Sequence, residues 1–116
     1  MPLRSCPLVT IVPHAGYPGD GRTAQAVPAA WLDALTVRSR RPGDWLRPFG
    51  SSGRQSLQDY FTNRRVDAPF RDRVPLVCRG SEVLLIGGVG AGDIPRLDTI
   101  DNPVLLRWTK SFPWQN

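Results

Sequence analysis

Glycine and proline fill 23 of the 116 positions of this chain, 11 and 12 respectively. Proline fixes φ and removes a backbone donor, and glycine makes left-handed turns cheap, so both interrupt regular structure. A chain broken this often predicts many turns, short strands and little helix. The length fits one small domain and excludes large catalytic architectures such as a (β/α)8 barrel, which needs about 250 residues. An apolar content of 41% supports a modest core.

Between the interruptions the patterning is readable. Leu8–Val12 is a short β-branched run and predicts a strand, followed by a turn or mobile loop over Gly16–Gly21. Thr23–Val27 predicts a second strand, and Ala29–Ala34 a helical turn holding Trp31 and Leu32. In Leu35–Arg40 alternation sets Leu35 and Val37 against Thr36, Arg38 and Arg40. Arg41-Pro42-Gly43-Asp44 is a turn, and Trp45, Leu46, Pro48 and Phe49 read as core plugs around an exposed Arg47. After the flexible Gly50–Gly53 loop, Ser56-Leu57-Gln58-Asp59 has the form of a capping box with Asp in place of Glu. Leu57, Tyr60 and Phe61 at i, i+3 and i+4 predict a two-turn helix ending at Arg64 or Arg65.

Asp67-Ala68-Pro69 opens a second helical turn, with Phe70 inward and Arg71 and Arg73 outward. Leu76–Arg79 and Glu82–Ile86 flank the two-residue loop Gly80-Ser81 and predict a hairpin, with Val83–Ile86 its most buried part. Gly87–Gly92 is a glycine-rich connection, Val104–Thr109 the last strand and Ser111–Asn116 a frayed tail. The expected fold is therefore α+β: a small single domain of short, mostly antiparallel strands with one two-turn helix. Its body spans residues 25–110, preceded by a strand and mobile loop over 1–24 and followed by a tail over 111–116.

Charge points to a partner. Fourteen of the fifteen cations are arginine, with Lys110 the single lysine. A high-GC genome would spread arginine along the whole chain; a binding surface would concentrate it. From Arg38 to Arg79 ten arginines face four acids, a net of +6, and the remainder of the chain nets −1. Arginine grips phosphate with a planar, bidentate fork, so polyphosphate is the natural partner.

Other chemistry is excluded by spacing. Gly87–Gly92 lacks the G-x-G-x-x-G pattern opening a helix, because Asp93-Ile94-Pro95 follows. Gly50–Ser56 lacks the lysine and spacing of a phosphate-binding loop. His14 is the single histidine and reads as a turn residue, so neither a catalytic triad nor a histidine metal site can be assembled. Cys6 and Cys78 stand far apart and read as reduced thiols of a cytoplasmic protein. No stretch approaches a membrane span or a signal peptide.

Three blocks carry a family resemblance. Leu35–Asp44 with Arg47-Pro48-Phe49-Gly50 follows the pattern L-x-V-R-x-R-x-x-G-D-x-x-x-P-x-G; Leu57–Phe61 follows a K-L-x-D-F-F type helix; Arg71–Val77 follows R-D-x-x-P-L-L before a hairpin. In this order and spacing, over about residues 25 to 90, they resemble the C-terminal domain of bacterial tRNA(Ile)-lysidine synthetases. The resemblance implies a fold shared with a domain of the phenylalanyl-tRNA synthetase β subunit. It also implies a module that grips the acceptor end of tRNA, isoleucine tRNA above all. In that family a separate N-terminal domain with an S-G-G-x-D-S loop uses ATP and Mg²⁺ to activate the wobble cytidine and attach lysine. This chain lacks S-G-G-x-D-S, so it looks like the C-terminal portion alone, catalytically silent and without a cofactor of its own. It also departs after Ile86, where the family's G-x-R-I-x-E-R-F type ending is replaced by Gly87–Pro95.

The expected phosphate ligands are Arg38, Arg40, Arg41, Arg47, Arg54 and Arg65. Arg38 and Arg40 share one strand face about 7 Å apart, near the spacing of successive phosphates. Each change to alanine is expected to weaken RNA binding without lowering the melting temperature. Asp44 and Asp72 are expected to hold arginines internally, Arg71 and Arg73 first. Arg96 and Arg107 are the reserve candidates. The alternative function is a protein-interaction module that docks or dimerises the parent enzyme.

Overall fold

The computed structural model describes residues 1–13, 24–48, 53–93 and 102–114. The expectations for His14, the Gly16–Gly21 loop, Phe49, most of the Gly50–Gly53 loop, Arg96 and the last two residues lie outside these. Among the described residues nine short strands form two sheets. The smaller sheet has the order β1 (Val9–Pro13), β9 (Pro103–Trp108), β2 (Ala24–Pro28), with the C-terminal strand central and both pairings antiparallel. The larger has the order β3 (Leu35–Arg38), β6 (Leu76–Arg79), β7 (Glu82–Ile86), β4 (Trp45–Leu46), β5 (Gln55–Ser56), with β8 (Gly90–Ala91) also on β7. Its one parallel contact is between β4 and β7.

The larger sheet is covered on both faces. Leu35, Val37, Val77, Leu84 and Leu85 pack toward the smaller sheet with Leu106 and Trp108. Leu76, Cys78, Val83 and Ile86 pack on the other side beneath helix α1 (Leu57–Asn63), against Leu57, Tyr60 and Phe61. A bulge makes this partition work. Val77 opposes Leu85 but Cys78 opposes Val83, so Leu84 is the extra residue and both leucines reach the inter-sheet core.

Helix α1 begins as its sequence predicts: the Ser56 side chain accepts from the Asp59 amide at 3.1 Å. Its end is a paired-bond stop. The Val66 amide donates to Phe61 O and the Arg65 amide to Thr62 O, with Arg65 at φ 56°. Glycine usually holds that left-handed position; here arginine does. Helix α2 (Ala68–Arg71) follows, with Asp67 before it making no side-chain capping bond.

The described terminal segments pack on the body, so residues 111–114 depart from the frayed tail expected over Ser111–Asn116, whose last two residues lie outside the described residues. Phe112 is buried in the inter-sheet core, and Trp114 donates from Nε1 to Gly87 O at 2.6 Å. At the other end Leu3 is buried and Met1 exchanges bonds with Val37. The Gly87–Gly92 connection is a tight hairpin: Gly88 sits at φ 73°, and a Cβ on Gly92 would meet Val83 O at 2.7 Å.

Candidate nucleic-acid interface

The turn after β3 organises the basic surface. Pro42 and Gly43 occupy its centre, Gly43 at φ 88°, and the Asp44 amide closes it onto Arg41 O at 3.2 Å. This is the type II arrangement that Pro-Gly favours. It carries Asp44 back beside β3, where Arg38 meets it. Arg38 Nη1 and Nη2 donate to the two carboxylate oxygens at 2.8 and 2.7 Å, and the Arg41 amide donates to the same carboxylate at 2.8 Å. Arg38 also donates to Gly80 O at 3.1 Å and Ser39 O at 3.0 Å, tying β3, the turn and the hairpin tip together.

This pair is buried: the Arg38 side chain is 10% exposed and that of Asp44 2%. Burial alone would raise the Asp44 carboxyl, but bonds from Arg38 and the Arg41 amide outweigh it and hold the group below the usual carboxylate range. The expectation that Arg38 projects to solvent is therefore corrected. Strand alternation does place it opposite Leu35 and Val37, but that opposite face lies under a second core rather than in water. The expected use of Arg71 and Arg73 on the acids is corrected too. Asp44 holds Arg38, Asp72 holds Arg40 through Nε at 2.7 Å, and Arg71 donates from Nε to Val66 O at 2.9 Å. The bond from Arg40 holds the exposed Asp72 carboxyl below its ordinary value.

Three of the six expected ligands converge. A cleft of about 610 Å³ is lined by Arg40 and Arg41 from the β3–β4 segment and by Arg54 ahead of β5, with Trp45, Gln58 and Asp72 in its walls. Arg54 lies over the Trp45 indole at 3.9 Å, and Arg47 approaches the same ring at 5.4 Å. Trp45 is thus a half-buried platform for two guanidiniums, not the core plug expected of it. Stacking fixes each guanidinium plane and leaves its edge donors available. Among the described residues Arg41 and Arg54 form no ion pair, and Arg47 has only a long contact to Glu82 at 3.8 Å. Arg41, Arg47 and Arg54 are all exposed.

Arg65 lies elsewhere, at the far end of α1, about 10 Å along a seven-residue helix. It lines a second groove of about 600 Å³ with Arg64, Asp67, Phe70, Gly88 and Trp114. The sequence places Trp45 in the core and Trp114 in a frayed tail, whereas Trp45 is a half-buried surface platform and Trp114 an anchored groove wall. For Trp45 a signal existed: a tryptophan two residues before an arginine in a segment too short to bury both. Among the described residues no cluster of His, Cys, Asp or Glu could hold a metal ion. None of the described helices is long and apolar enough to cross a membrane. Cys6 and Cys78 are both buried and unbridged, and burial pushes the Cys78 thiol up to about 12.

Comparison with known proteins agrees with this architecture. The chain is 33% identical over 72 residues to the tRNA(Ile)-lysidine synthase of Parabacteroides distasonis, covering 62% of this chain and 16% of that protein. It is 42% identical over 65 residues to the tRNA(Ile)-lysidine synthase of Symbiobacterium thermophilum, covering 51% and 14%. The match thus spans about a sixth of the length of these curated relatives. A crystal structure of a TILS C-terminal domain superposes with a TM-score of 0.68 at 22% identity, over 89% of this chain and 83% of that one, and so has the same fold. The family model described as TilS substrate C-terminal domain matches residues 35–108, from the first strand of the larger sheet to the end of β9, and the chain belongs to that family.

Proposed function

We propose that this chain is the tRNA-gripping module of a tRNA-modifying enzyme of the lysidine-forming class, holding the acceptor end while a separate domain does the chemistry. The observation that carries this reading is the cleft in which Arg40, Arg41 and Arg54 meet beside the Trp45 platform. Arginines from separate segments, backed by an aromatic ring, suit a phosphate backbone better than a small substrate. A-form RNA hides its base edges in a deep, narrow groove, so a domain this small reads phosphates and 2′-hydroxyls. Adenylation, ATP and Mg²⁺ belong in this reading to the N-terminal domain of the cytoplasmic parent enzyme. The cognate RNA is an isoleucine tRNA, on which the isolated module discriminates weakly.

The test is a salt-titrated binding measurement with an isoleucine tRNA transcript. Log K should fall linearly with log salt. Arg41→Ala and Arg54→Ala should each lower affinity and flatten that slope by about one unit. A salt-independent affinity would overturn the reading. So would an undiminished slope in the double variant. Tight capture of the parent's catalytic portion with no RNA binding would make the module a docking domain instead.

A further inference from the structure

The second groove has a composition that phosphate gripping does not require. One wall is aromatic: Trp114 is stacked on Phe112 with centroids 5.2 Å apart and planes at 11°, and lies 5.7 Å from Phe70. The bond from its Nε1 to Gly87 O fixes the indole, yet Trp114 and Phe70 both stay partly exposed. At the rim stand two adjacent exposed cations, Arg64 and Arg65. Asp67 also lines the groove, exposed and with no side-chain capping bond to α2, so its carboxylate is available as an acceptor. Arg65 holds the left-handed position where glycine would cost less, which is expected where the side chain itself has a use.

We infer that this groove takes one unpaired nucleotide of the bound RNA, its base against Trp114 and Phe70, its phosphate on Arg64 and Arg65, and a base N–H on Asp67. A planar ring, an anion and a hydrogen-bond donor are the three complements the groove offers, and a nucleotide presents all three. A base inside a duplex has both π-faces covered by stacked neighbours and cannot be splayed into a groove, so the groove selects single-stranded nucleotides. The cleft is lined at the start of α1 by Leu57 and Gln58 and the groove past its end by Arg64 and Arg65, and the helix between them is about 10 Å long, so one RNA can reach both. The inference rests on the RNA-binding reading above.

Two RNA duplexes test it, one blunt and one carrying a four-nucleotide single-stranded 3′ overhang, with the ratio of their affinities as the readout. The overhang should tighten binding about tenfold, within the range for stacking one base. Abasic nucleotides in the overhang should remove the gain. Trp114→Leu should bring the ratio to about one. Arg65→Gly, which suits the backbone and keeps the fold, should reduce it several-fold. Arg41→Ala should weaken both duplexes and leave the ratio intact. An overhang that adds nothing, or a gain that survives Trp114→Leu and the abasic substitutions, overturns the nucleotide site. Absence of binding to both duplexes overturns the RNA reading itself.

Discussion

Replacing Arg38 with alanine separates a structural arginine from a binding one. The side chain satisfies the carboxylate of Asp44 in a site where the two groups are 10% and 2% exposed. Charge centres about 4 Å apart attract by about 4 kcal/mol at an effective dielectric near 20. Removing one member of a buried pair costs about 3–5 kcal/mol, because the other charge stays behind unpaired. The Arg41 amide still donates to Asp44 in the variant, so the lower end applies, about 3 kcal/mol. A domain of this size holds roughly 6–17 kcal/mol in total, so the loss is a large share of its stability. At about 4 °C per kcal/mol the melting temperature should drop by about 12 °C. Urea unfolding followed by circular dichroism gives the free energy directly. The exposed Arg41→Ala should stay within about 0.5 kcal/mol of the parent. The double change Arg38→Met with Asp44→Leu should recover most of the loss, since an apolar pair leaves no orphaned charge. If Arg38→Ala melts with the parent yet loses as much tRNA affinity as Arg41→Ala, Arg38 is a ligand and the structural assignment is wrong.

The same pair sets an acid limit. Asp44 sits below its ordinary value when folded, so its contribution is full above the unfolded carboxyl pKa of about 3.9 and fades as pH falls toward the folded one; acid titration of Arg38→Ala should show a shallower loss there. Arg65→Gly should raise stability by about 1 kcal/mol in urea by relieving the left-handed conformation, where a Gly-to-arginine exchange would normally be unfavourable. Cys78, its thiol pushed up to about 12 by burial, should resist alkylation at pH 8 in the folded chain and react at once in urea; rapid native labelling would show that the core under α1 opens.

Local signals read the fold well because local physics sets them. The Ser56 cap, the Leu57-Tyr60-Phe61 face and the Gly80-Ser81 hairpin each depend on neighbours within a few residues, and each forms as its sequence predicts. The Pro42-Gly43 turn is of the same kind. What the sequence did not show is that the larger sheet is buried on both faces. Alternation along β3 separates two faces but does not say what covers either, and α1, which covers the second, lies some twenty residues further on. The C-terminal aromatics failed for a similar reason. A short segment rich in Phe and Trp after a final strand looks frayed until the Gly87 carbonyl that anchors Trp114 is known.

The basic window was legible as a quantity and not as a surface. Which arginines remain for a ligand depends on where the four acids of the window land. Asp44 is six residues from Arg38, and the Pro-Gly reversal between them returns the chain beside its own strand, so that pairing was within reach of sequence reasoning. Asp72 is 32 residues from Arg40, and only the packing of α2 beside the β3–β4 segment brings the two together. The two pairings also differ in consequence. Arg38 is 10% exposed and commits both terminal nitrogens to Asp44, Ser39 and Gly80, whereas the Asp72 side chain is 75% exposed and Arg40 33%, so solvent screens their attraction. Under the proposed reading a phosphate entering the cleft can therefore compete for Arg40 at little cost, which an enclosed Arg38 does not allow. Of the six arginines first selected, Arg40, Arg41 and Arg54 line the cleft, Arg47 shares the Trp45 indole with Arg54, Arg65 lines the second groove, and Arg38 holds the turn from which Arg41 reaches the cleft.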